Sequence, residues 1–142
     1  MVVELALETR VALAAAGGIF LWALVLGVWK YAQIVRSPQH QAHVYVDIAH
    51  RAALMYAFAA LLLAPFAELS AWPSWVNTVA VLVVVVFFVG AIASYVVHGA
   101  LQDTTNQFAK PVHGLHGFMF ALIACEIGGF AVLFVGFLVS QF

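Results

Sequence analysis

The run VNTVAVLVVVVFFVGAIASYVVHGA, residues 76–100, contains no Asp, Glu, Lys or Arg. A bilayer core is about 30 Å thick, and a helix needs about 20 predominantly apolar residues to cross it. This run is long enough. Its valines, Val83 to Val86 among them, would suit a strand in water. In lipid an open strand edge has no hydrogen-bonding partner, so the same run reads as helix. Trp72 and Trp75, with Pro73 between them, mark an interfacial turn just before it.

Working outward, three more spans follow the same rule. One covers about residues 11–31, between Arg10 and the Lys30/Arg36 flank, and another about 43–66, ending near Pro65 and Glu68. After the polar segment Gln102-Asp103-Thr104-Thr105-Asn106-Gln107, the last covers about 112–137. The expected fold is all-α: one domain over residues 1–142, an antiparallel up-down four-helix bundle in a membrane. No second domain or internal repeat is visible.

Composition agrees. Hydrophobic residues make up 66% of the chain and charged residues 8%, with a mean hydropathy of +1.09. Soluble domains carry about 25% charged residues, so the solvent for most of these side chains is lipid. The formal net charge of −1 and the lack of a basic run give no support for nucleic-acid binding. Cys125 is the only cysteine, which excludes an intramolecular disulfide and a cysteine-cluster metal site. Glu4 and Glu8 stand where a signal peptide would carry positive charge, so no cleaved leader is expected. Lys30, Arg36, Arg51 and Lys110 fall on the side of loops one and three, and Arg10 on the other. The positive-inside rule then places loops one and three in the cytoplasm and both termini outside, with the bacterial inner membrane as the expected compartment.

Up-down alternation brings all six histidines to one end. His40, His43 and His50 lie before and within the second span, His98 near the end of the third, and His113 and His116 open the fourth. His43, Asp47, His50 and Arg51 follow the spacing i, i+4, i+7, i+8, one face of a helix. Ionisable residues in a span are costly, usually face the bundle interior and are by default functional candidates. Asp47 can accept from a ring N–H of His43 or His50, the contact that fixes a ligating imidazole's tautomer, or pair with Arg51. A purely structural polar staple between helices is the plainer alternative. Gly114 and Gly117 flank the fourth-span histidines and leave room for a close helix or a flat cofactor. Tyr95 precedes His98 by one turn and is a candidate proton donor or an interfacial aromatic. Glu126 falls near the midplane, with a structural or a functional role open.

Several histidines with one aspartate and no cysteine cluster suit imidazole ligation of Zn, Cu, Fe or heme iron. Heme b is favoured, because a bundle core with glycine and aromatic residues suits a flat apolar macrocycle held by one or two axial histidines. The candidate cofactor-binding residues are His43, His50, Arg51, His98, His113 and His116, with His43, His50 and His116 as metal ligands. Tyr95 and Asp47 are the candidate catalytic residues.

Two short stretches carry resemblances. Leu21-Trp22-Ala23-Leu24-Val25-Leu26-Gly27, a basic loop with Pro38, and then Ala42-His43 resemble the small four-helix membrane isomerases of the hydroxylaminobenzene mutase and styrene oxide isomerase type. The resemblance covers mainly the first two spans. It implies a trimer with heme b near subunit contacts, His43 as axial ligand, ferric iron as Lewis acid on a substrate oxygen, and Tyr95 as a polar partner for the substrate. Where that family has an asparagine followed by glycine, this chain has Ala49 and His50. Asp47-Ile48-Ala49-His50-Arg51 is similar to the Glu-x-x-His-Arg motif of a heme A synthase half-bundle, which implies His50 with His113 or His116 as paired axial ligands.

The leading expectation is therefore a heme-dependent membrane isomerase, a homo-oligomer acting on a small lipophilic aromatic epoxide or hydroxylamine. A bis-histidine heme carrier or membrane-anchor subunit is the second, and a structural subunit without cofactor the third.

Overall fold

The computed structural model describes residues 4–142, which form four helices and no strand. They are α1 (Leu7–Arg36), α2 (Val44–Glu68), α3 (Ser74–Leu101) and α4 (Leu115–Gln141). Each is long and apolar enough to cross a membrane, and the protein is an integral membrane four-helix bundle. The surface agrees: Leu21, Val28, Phe58, Val86, Phe120 and Ile127 are all exposed, which lipid tolerates and water does not.

The helix ends depart from the expected spans for local reasons. α1 starts before residue 11 because its polar first turn has partners on other helices. Glu8 accepts from the Ser74 hydroxyl at 2.7 Å, and the Thr9 hydroxyl donates to Glu68. α2 starts one residue later than expected, because His43 is its N-cap rather than its first helical residue. α4 starts at Leu115, not 112, because Gly114 sits at φ 90°, in the left-handed region that glycine enters at no steric cost. His113 therefore lies in the turn before α4, whereas His116 is on the helix.

The seam between α1 and α2 is the most intimate contact. Ala12, Ala16, Ile19, Ala23 and Leu26 of α1 are buried, as are Ala49, Ala53, Ala57, Ala60, Ala64 and Ala67 of α2. Steps of three and four keep each row on one face of its helix. Alanines let the backbones approach, which is how helices associate where no hydrophobic drive exists between them. α3 closes the core with Val81, Val84, Phe88 and Ile92. α4 meets α3 and α2 but not α1, and buries only Leu115, Gly129, Leu133 and Gly136. At its far end α4 is latched by backbone groups: Ala71 N–H donates to the Gly136 carbonyl at 3.0 Å, and Trp72 Nε1–H to the Val132 carbonyl at 2.8 Å.

Candidate functional site

The ends of α1 and α3 and the starts of α2 and α4 share one face of the bundle, so all six histidines lie toward it. They do not form one cluster. Among the described residues, no three His, Cys, Asp or Glu side chains gather to hold a bare metal ion. His43, His50 and His116 are thus not a three-imidazole metal set. Three separate arrangements occupy this end instead.

The first lies in the α1–α2 seam. The His50 Nδ1–H donates to the Ala23 carbonyl at 2.9 Å, because a carbonyl oxygen can only accept. The neutral ring then keeps its lone pair on Nε2. The ring rests over Gly27, where an added Cβ would stand 2.9 Å from His50 Cε1. Along the same faces, a lipid-facing groove of about 320 Å³ is lined by Leu13, Gly17, Phe20, Ala57, Phe58 and Leu61. Phe20 and Ala57 are each seven residues from Gly27 and His50, so the groove continues the seam about 10 Å further into the membrane.

The second is a charged clamp. Asp47 receives Lys30 Nζ at 2.6 Å and Arg51 Nη2 at 2.8 Å. The sequence left Asp47 between a histidine and Arg51; the structure gives it Arg51 and adds Lys30 from α1. Neither His43 nor His50 reaches it by a hydrogen bond. Its Oδ1 holds α1 to the first turn of α2 through Lys30, while its Oδ2 pairs with Arg51 one turn further along α2; there its negative charge also meets the positive end of the helix dipole. Arg51, engaged by Asp47, is otherwise largely exposed.

The third surrounds Tyr45, which is buried and was not singled out from sequence. Its ring lies 5.2 Å from His98, 6.1 Å from Tyr95 and 6.2 Å from His43, centroid to centroid. Its hydroxyl accepts the Gln107 backbone N–H at 2.7 Å, tying the α3–α4 loop to α2. His98 Nδ1 bonds Asp103 Oδ1 at 2.9 Å. That bond holds the Asp103 carboxyl below its ordinary value of 3.8. A cavity of about 580 Å³ opens here, lined by Ser94, His98, Gln102, Asp103, Lys110 and Leu115 among others.

His43 belongs beside this group by position but has a different bonding state. Its Nδ1 accepts the Tyr45 backbone N–H at 3.3 Å, so the neutral ring carries its proton on Nε2. Its own backbone N–H is held by the Gln33 side chain at 2.8 Å. His40, His113 and His116 are exposed; His116 has Phe108 as an aromatic neighbour at 6.4 Å.

Tyr95 and His50 are on opposite flanks of α2. Tyr45, which Tyr95 stacks on, and His50 are five positions apart, about 140° around the helix. A single chain therefore does not bring Tyr95 and His50 to one cavity.

This architecture defines a four-helix integral membrane protein with a polar, histidine-rich end. No family model, curated protein or solved structure matches the chain.

Proposed function

We propose that this protein binds heme b through His50 and isomerises a small lipophilic aromatic epoxide or hydroxylamine as a homo-oligomer. The observation that carries the reading is the His50 ring, its Nδ1–H spent on the Ala23 carbonyl and its Nε2 lone pair left for a ligand. Such a hydrogen bond fixes the ring's orientation and makes it a stronger base toward a metal. The hydrogen bonding of His43 is the reverse, and favours His50 as the axial residue.

The surroundings fit a flat apolar group. Gly27 makes room for the imidazole itself, and Gly17, Phe20 and Phe58 shape the apolar groove further along the same seam. Bound there, heme iron would supply a Lewis acid for a substrate oxygen, the chemistry implied by the resemblance to small membrane isomerases. Ala23 holds the imidazole, and the phenyl rings keep water away from the groove. The groove opens to lipid with no third helix of the chain over it, so a second copy would supply the facing wall. Loops one and three, with most of the basic residues, are proposed to face the cytoplasm.

A bis-histidine carrier receives less support within one chain. Its second ligand would come from His113 or His116, and α4 does not touch α1, so neither faces the seam that holds His50.

The test is an absorption spectrum of the detergent-purified protein, oxidised and then dithionite-reduced. A Soret band with b-type reduced bands is expected, perturbed by added imidazole because one iron face stays open. His50→Ala is expected to abolish the band and His43→Ala to retain it. A colourless protein after heme-supplemented expression would overturn the reading. A six-coordinate spectrum indifferent to imidazole would replace the isomerase with a carrier.

A further inference from the structure

Glu126 is carried by α4 about 16 Å from the start of that helix, on the side of α2 away from His50. Its Oε1 is buried without a hydrogen-bond partner, and no salt bridge among the described residues includes it. Among the described residues, the ionisable groups that feel its charge are the phenols Tyr56 of α2 and Tyr95 of α3, neither of them cationic. Cys125 is its neighbour on α4. A carboxylate in apolar surroundings is expensive unless it is paired or protonated.

The space in front of it is larger than a proton needs. A cavity of about 480 Å³ lies between α2, α3 and α4, lined by Leu63, Val84, Phe88, Ile127 and Phe130 together with Glu126. Among the described residues, Glu126 is the one acidic or basic residue lining it. Its walls are aromatic: Phe130 and Phe134 stack at 6.0 Å, and Phe88 is backed by Tyr56 at 4.3 Å. Aromatic faces attract cations, and most strongly when both are out of water.

We propose that this cavity is a binding site for a lipophilic organic cation, such as an aromatic ammonium, with Glu126 as its counter-charge and Phe88 and Phe130 as its walls. The ligand enters from the bilayer, where such cations partition. A lipid acyl chain fills the volume but leaves the Glu126 carboxylate without a counter-charge; a cation supplies both. The proposal does not rest on the heme reading, since His50 and the α1–α2 groove lie on the other flank of α2.

The test places the full chain in phosphatidylcholine nanodiscs and measures equilibrium dialysis of two probes of similar shape, naphthylmethyl-trimethylammonium and neutral naphthylmethanol. Saturable binding of the ammonium is expected, weakened about tenfold by Glu126→Gln and largely restored by Glu126→Asp. Phe130→Leu keeps the charge and is expected to weaken binding by about threefold. Circular dichroism of each variant should match that of the wild type. Equal ammonium binding by wild type and Glu126→Gln would overturn the proposal. So would naphthylmethanol binding as tightly as the ammonium, which marks a neutral ligand, or no ammonium binding at all, which marks a groove closed by lipid or a second copy.

Discussion

Gly27 and His50 show how a site in this bundle depends on single atoms. A methyl group at position 27 would stand 2.9 Å from His50 Cε1 and 3.3 Å from Nδ1, so the ring must move and the Ala23 hydrogen bond stretch. Gly27→Ala is expected to cost about 1–3 kcal/mol by overpacking and to lower heme content, read as Soret absorbance per protein. Asp103 gives a pH test at the opposite flank. Its carboxyl is held below 3.8 chiefly by the bond from His98, so the contact is complete above the unfolded value and is lost as pH falls through the lower folded one. Infrared titration, taken as a difference against Asp103→Asn, should show protonation with a midpoint below 3.8; a midpoint at or above it would remove the bond. Asp103 is solvent-exposed, so little global stability follows its titration.

At the scale of elements, much of the fold was legible and much of the site was not. Four apolar runs gave the four helices, because hydrocarbon leaves few other structures open to a chain this apolar. Helix ends were less legible. The start of α4 depends on the backbone of Gly114 at φ 90°, and glycine announces freedom without saying which conformation is taken. The site was legible in residue type and not in pairing. His50 was a candidate from its place on α2, but its partner is the backbone carbonyl of Ala23, a group that every residue carries. Asp47 and Lys30 were visible charges, yet their meeting depends on how α1 and α2 are rotated about their axes. Tyr45 carried no signal beyond lying two residues after His43. Its hydroxyl is the tie between α2 and the α3–α4 loop, so Tyr45→Phe is expected to cost about 0.5–1.5 kcal/mol and to speed amide exchange at Gln107. Gly129 is the corresponding point between α3 and α4. A Cβ there would stand 2.5 Å from Val84 Cγ2 and 3.0 Å from the Ala80 carbonyl oxygen. Gly129→Ala is expected to loosen α4 and lower the detergent melting temperature, while Gly128→Ala, with nothing within 4 Å, should leave it unchanged.

Across the whole molecule, the polar groups divide between two ends with different work. The end formed by the chain's start and the α2–α3 turn is structural: Glu8, Thr9, Glu68 and Ser74 bond one another across three helices. The histidine end instead leaves bonding capacity open, in the Nε2 of His50 and in the cavity beside His98. Between them the apolar middle is interrupted by Glu126. The latch from Ala71 and Trp72 to the backbone of α4 also bears on how the chain is made. These bonds join a turn already synthesised to a helix that emerges later, and they need Gly136 bare of a side chain, since a Cβ there would stand 2.6 Å from Trp72 Cδ1. The α1–α2 hairpin can close while α3 is still on the ribosome, and α4 can arrive as a late strut, clipped in place by a turn that was waiting for it.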